Sequence, residues 1–153
     1  MIRKLIDINF FSIYFVEDHP GFSFIKKTMD EGLAGAFNLL IPEILPFRAF
    51  WILTTKWEIE KQIAKEIILD FVKNYSVPIY VGLKRTTIVE AFKYSRELNH
   101  DIYDCYYLAL AKQEEATSIL TTDTDFDKLC KSVGLNYENP VPLDILKKFN
   151  RFK

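Results

Sequence analysis

Apolar residues in this chain come in two arrangements. Some form short solid runs closed by an acid or a proline, and others recur every three or four positions over a dozen residues. Solid runs predict strands buried on both faces, and spaced ones predict amphipathic helices. On this reading strands fall at residues 4–7, 36–41, 78–83 and 118–122, with a short fifth at 135–137. Helices are expected at 9–16, 22–29 with an end at Gly32, 42–55, 57–75, 86–98, 102–115, 125–133 and 142–149. Residues 151–153 read as a frayed tail. Proline supplies several stops: His19-Pro20 closes the first helix and Pro42 the second strand. Pro46 sits in the first turn of its helix, where proline is tolerated. In 57–75, Ile59, Ile63, Ile67 and Phe71 recur every fourth residue and mark the inner face. In 86–98 the core candidates are Ile88, Phe92 and Leu98. Asp101 has the position of an N-cap for the helix that follows, and Gly134 is a normal helix stop.

Strands alternating with helices imply a parallel sheet covered on both faces. The expected fold is therefore α/β, a three-layer sandwich around a mainly parallel sheet of four to five strands, with residues 1–150 as one domain. The length of 153 residues and an apolar content of 49% suit one core of ordinary size. No repeats, linkers or low-complexity segments interrupt it.

Composition narrows the chemistry. The chain has only 5 glycines, which argues against Gly-rich phosphate loops and a dinucleotide fingerprint. A net charge of −1 leaves room for a local basic groove but no strongly basic body. Cys105 and Cys130 lie in apolar helical patterns and read as reduced core residues. No secretory leader is visible, and no stretch reaches the ~20 apolar residues of a membrane span. A cytoplasmic location is expected, with no membrane partner. His19 and His100 fall in expected loops and read as surface residues with no role.

The acids carry the functional signal. Asp7 ends the first strand, Asp123 follows the fourth with Asp125 two residues on, and Asp104 lies in the first turn of the 102–115 helix. Ligands in open α/β sheets sit beyond the carboxyl ends of the strands. Four acids meeting there would repel one another unless a cation held them. Each acid alone also has a structural reading, as a helix-terminus charge or a turn residue. Together, as hard oxygen ligands, they suit Mg²⁺ or Mn²⁺ and point to chemistry on a phosphate ester.

The stretches LIDINFF (from Leu5), IYDCYYLALA (from Ile102) and ILTTDTDF (from Ile119) resemble a PIN domain, most closely the VapC-type toxin ribonucleases. The resemblance runs from Leu5 to about Tyr137. It implies that Asp7, Asp104 and Asp123 are catalytic metal-binding aspartates, with Asp125 an additional acid. Asn9, Thr121 and Thr122 match supporting positions. It also implies a metal-dependent endoribonuclease leaving a 5′-phosphate and a 3′-hydroxyl, an RNA substrate, an antitoxin partner and a homodimer. Lys26, Lys27, Lys84, Arg85, Lys147, Lys148 and Arg151 are candidate backbone contacts. The apolar run 47–53 and the 57–75 helix are candidate interface surfaces.

One position departs from the family pattern. A glutamate is expected a few residues after the second strand, and Arg48 stands there. The nearest acid, Glu43, is five residues earlier, about 140° round a helix and some 7–8 Å along it. Three outcomes stay open for Arg48: pairing with Asp7 or Asp104 in place of a metal, pointing away while Asp125 completes the site, or contacting an RNA phosphate. The first would make the protein a degenerate PIN-like binder of RNA or protein without cleavage. A phosphatase of the haloacid-dehalogenase kind wants a second aspartate where this chain has Asn9.

Overall fold

Five parallel strands in the order β3-β2-β1-β4-β5 form the centre of the computed structural model, which describes residues 1–152 except the side chain of Arg151. They are β1 (Arg3–Ile6), β2 (Asn38–Pro42), β3 (Ile79–Val81), β4 (Ser118–Leu120) and β5 (Asn136–Glu138). Leu5 pairs with Leu40 on one side and with Ile119 on the other, so β1 is the middle strand. Leu5, Ile6, Leu39, Leu40, Ile41, Ile119 and Leu120 are all buried, as solid apolar runs require when both faces are covered.

The helices divide by crossover direction. α1 (Ile8–Ile13), α2 (Phe22–Leu33), α3 (Leu45–Trp51) and α4 (Lys61–Asn74) connect strands laid outward from β1 to β3. α5 (Arg85–Leu98) and α6 (Ile102–Gln113) return the chain past β1 to β4, and α7 (Phe126–Ser132) continues to β5. Right-handed crossovers put these two groups on opposite faces. Contacts agree: α1 packs on α2 and α3, while α6 packs on α5 and α7. The expected three-layer α/β sandwich is the observed one, with all five strands parallel. α8 (Leu143–Leu146) and a 3₁₀ turn (Phe149–Arg151) follow. No helix of the described residues is long and apolar enough to cross a membrane.

Several expectations are corrected. The segment 42–55 is not one helix: α3 passes into a π-helical turn at Ile52–Lys56. The Thr54 hydroxyl donates to the Phe50 carbonyl there (2.8 Å). α4 begins at Lys61, not 57, because Glu58 has a positive φ (54°) and the Glu60 carboxylate caps the amides of Gln62 and Ile63. Its buried residues are Ala64, Ile68 and Phe71, and Ile63 is exposed. On α5 the buried positions are Thr87 and Ala91, while Ile88 and Phe92 face outward. The last helix covers only 143–146. His19 is buried rather than exposed, its ring against Phe149, Phe152 and Trp57 at 4.5, 4.7 and 5.4 Å between centroids. Phe152 is therefore packed, not frayed, and Lys153 lies outside the described residues. Cys105 and Cys130 are free and buried, as expected.

Candidate metal centre

Asp7 stands where the strand order reverses. Chain growth runs from β1 toward β3, then resumes on the other side of β1 at β4, so the crevice beyond the ends of β1 and β4 is the switch point of the sheet. The Asp7 N–H donates to the Leu120 carbonyl (3.3 Å), joining the two strand ends. Asp7 also caps α1. Its Oδ1 accepts from the Phe10 N–H (2.9 Å), and its Oδ2 accepts a short hydrogen bond from the Thr121 hydroxyl. Only 2% of its surface is exposed. Burial pushes its pKa up to about 7; the Thr121 and Phe10 hydrogen bonds oppose the rise, and the charges of Asp123 and Asp104 add to it.

The loop after β4 is built by its own side chains. The Thr121 oxygen accepts from the Asp123 N–H (2.9 Å), and Asp123 Oδ1 accepts from the Asp125 N–H (2.9 Å). These are the local turns that short polar side chains favour. One hydroxyl thus braces Asp7 and sets the course of the loop bearing Asp123 and Asp125. Thr122 is buried beside it and, with exposed Asn9, lines a small cleft with Lys56 and Trp57.

Asp104 arrives from the first turn of α6. Asp101 is the N-cap, accepting from Tyr103 N (2.6 Å) and Asp104 N (3.4 Å). The Asp104 pKa is raised, chiefly by burial, with Asp123 adding and the His100 hydrogen bond opposing. His100 Nε2 lies 2.7 Å from Asp104 Oδ2. Donor atoms of His100, Asp104 and Asp125 all lie within 4.8 Å of one another. Farther along α6, the Tyr107 hydroxyl accepts from the Ile8 N–H (3.1 Å), tying the start of α1 to this helix.

Asp7, Asp104 and Asp123 act on one another through their charges, and Asp125 joins Asp104. His100 is the residue that sequence reading passed over. Its signal was the four-residue spacing to Asp104, hidden because a helix end was read as a plain loop. Glu43 and Arg48 lie to one side, lining a cleft of about 350 Å³ with Ile44, Gly82, Leu83, Tyr103 and Tyr106. The Arg48 guanidinium sits 5.5 Å over the Tyr103 ring and forms no ion pair among the described residues. The pairing of Arg48 with Asp7 or Asp104 is therefore not observed. Glu43 is exposed, its carboxylate over Gly82, where an added Cβ would meet it at 2.5 Å.

The acids and the imidazole form a donor set that suits a divalent ion. Asp7 in particular is a carboxylate closed off from water, its pKa raised by burial and by the charges of Asp123 and Asp104, and a nearby cation would favour its ionised form.

A sheet of this order is that of doubly wound α/β proteins, and here its switch point carries acids in place of a glycine-rich phosphate loop. The PIN domain family profile matches residues 4–132, and the chain belongs to that family. No curated protein matches it in sequence. Solved structures that share the fold include three VapC or VapBC proteins. VapC20 of Mycobacterium tuberculosis, a sarcin–ricin loop cleaving toxin, superimposes with a TM-score of 0.66 at 10% identity, over 82% of this chain and 94% of that one. VapBC2 of Rickettsia felis, bound to a fragment of its promoter DNA, gives 0.67 at 15% identity, over 90% and 98%. DNA-bound VapBC of Salmonella typhimurium gives 0.64 at 13% identity, over 92% and 100%.

Proposed function

We propose that this protein is a divalent-metal-dependent endoribonuclease acting as the toxin of a toxin–antitoxin pair. The observation that carries this reading is the burial of Asp7 at the sheet's switch point with Asp104 and Asp123 facing it. Family membership and the fold shared with VapC toxins support it.

Asp7, Asp104 and Asp123, with Asp125, would hold the ion. Bound there, a divalent cation supplies a nucleophile near neutral pH and neutralises charge at the scissile phosphate. The chain's own residues set the geometry. Phe10 N–H and the Thr121 hydroxyl hold the two oxygens of Asp7 in place. The Asp101 cap fixes the turn that presents Asp104. The Asp123–Asp125 turn orients the opposite wall. Lys84 and Arg85 leave the carboxyl end of β3, on the same rim of the parallel sheet as the acids, and would meet an RNA backbone there.

Arg48 lies against Tyr103 and pairs with neither Asp7 nor Asp104, which favours an active enzyme over a degenerate binder. An antitoxin and a second copy of the chain are the partners this reading implies. Apolar surface is open to them between α3 and α4, in a cleft of about 440 Å³ lined by Phe47, Phe50, Leu69 and Val72, and on the outer face of α5.

The test is cleavage of a structured RNA. Activity in Mn²⁺ or Mg²⁺ should vanish with chelator and in Asp7→Asn, and the new ends should be 5′-phosphate and 3′-hydroxyl. Cutting that survives chelation, or persists in Asp7→Asn, overturns the proposal.

A further inference from the structure

His100 is held by its backbone as firmly as any residue of the site. Asn99 ends α5 in the left-handed conformation (φ 48°) and turns the chain back. The His100 N–H then donates to the Ser95 carbonyl (3.1 Å), and its own carbonyl accepts from the Ser95 hydroxyl (2.6 Å). With both backbone groups tied, the ring rests on the first turn of α6 with Nε2 2.7 Å from Asp104 Oδ2. Asp125 comes in from the loop after β4, and the three donors span no more than 4.8 Å. Nitrogen and oxygen ligands bind a divalent ion at about 2.0–2.2 Å, so donors sharing one ion stand roughly 3–4 Å apart. His100 Nε2 and Asp104 Oδ2, at 2.7 Å, are hydrogen-bonded to each other, so a shared ion would take the place of that proton and spread the pair by a few tenths of an ångström, with Asp125 already within reach.

The chemistry of this donor set differs from an all-carboxylate one. Oxygen-only sites accept Mg²⁺, whereas an imidazole nitrogen favours transition ions. A nitrogen donor stands ready on the side of α6. A cleft of about 510 Å³, lined by Asn99, His100, Thr124, Asp125 and Lys128, opens this side to solvent and to an entering ion.

We propose that His100 Nε2 is a ligand of the divalent ion together with Asp104 and Asp125, and that the ion is a nitrogen-accepting transition ion such as Mn²⁺ rather than Mg²⁺. This rests on the metal-centre reading given above and names its ion.

The assignment can be read without ambiguity because the chain has only 2 histidines. The other, His19, is enclosed by aromatic rings, and its Nδ1 accepts from the Gly21 N–H. The untagged full chain is stripped with chelator, loaded with Mn²⁺ and measured by pulsed electron paramagnetic resonance, with Mn²⁺ and Mg²⁺ affinities taken by calorimetry. Wild type should show imidazole ¹⁴N coupling, changed on ¹⁵N-histidine labelling, and should prefer Mn²⁺. His100→Gln keeps an N–H donor for Asp104, so a purely positioning role would leave the metal preference intact. The expected result is loss of the coupling and a roughly tenfold or greater fall in Mn²⁺ affinity relative to Mg²⁺. Bound Mn²⁺ without nitrogen coupling in the unmutated chain overturns the role of His100 alone. Failure of wild type to bind either ion overturns the metal-centre reading and this one with it.

Discussion

Asp7 is a buried acid whose charge works against stability. Its carboxyl titrates near 7 in the fold and near 3.8 in the unfolded chain. Between those values the folded state holds more protons, so without metal the protein loses stability as pH rises from 4 through 7. At about 1.4 kcal/mol per pKa unit the loss is a few kcal/mol at most. Asp7→Asn can still accept from the Phe10 N–H and carries no charge. In chelator at pH 8 it should melt several degrees above wild type by calorimetry; a lower melting temperature would contradict this. His19 has the opposite dependence. Burial first, and the charge of Lys56 second, lower its pKa from 6.5 to about 4. In that window the unfolded state holds more protons, so stability falls as pH drops from about 7 to 4 and levels off below. The two effects overlap, so the measurement is a difference. His19→Asn, whose side-chain oxygen can accept from the Gly21 N–H, removes the His19 contribution. The melting temperature of wild type minus that of the variant should shrink between pH 7.5 and 4.5. The acids were legible at this scale because each interrupts an apolar run or opens a helix. His100 was not, because its meaning depends on Asn99 turning the chain back, which no local pattern encodes.

At the scale of elements, the start of α6 matters most. One side chain, Asp101, satisfies two amides of the turn that presents Asp104. Asp101→Ala should cost about 1 kcal/mol, as lost N-caps do, or roughly 2–4 °C in a chain of this size. Cleavage should fall by more than that loss of folded protein accounts for, because Asp104 loses its fixed approach. Equal loss of stability and activity would show the cap to be structural only. Helix faces were the least legible feature. The repeat of Ile63, Ile67 and Phe71 marks a stripe, but the buried set is Ala64, Ile68 and Phe71. The positive φ at Glu58 and the cap at Glu60 start α4 later and set its orientation. On α5, small Thr87 and Ala91 are buried where α5 packs on α6, and the bulky residues turn outward. Size at a close helix contact outweighed hydrophobicity there.

For the whole molecule, the outward stripe of α5 is the feature a lone chain does not need. Val89 and Phe92 are 64% and 63% exposed, one helical turn apart, with Ile88 beside them. Exposed apolar clusters of this kind mark interaction surfaces. A dimer formed through this face should appear by light scattering at tens of micromolar, and Phe92→Glu should convert it to monomer with the helical content unchanged. A wild type that is monomeric at that concentration, or a dimer indifferent to Phe92→Glu, would exclude the face. Asp7, Asp123 and Asp125 follow strand ends and Asp104 opens α6, none of them on this stripe, so the monomeric variant should keep its metal affinity.

Strand positions, the parallel α/β architecture and the three aspartates at element ends were set by local pattern alone. Solid apolar runs are stable only as doubly covered strands, and a carboxylate at the end of such a run must meet a partner. Which sides of α4 and α5 face inward, the burial of His19 under the C-terminal rings and the seating of Arg48 on Tyr103 came from tertiary packing. Each depends on how segments far apart in the chain approach one another, and that is decided by the sheet order and by side-chain volume at helix contacts.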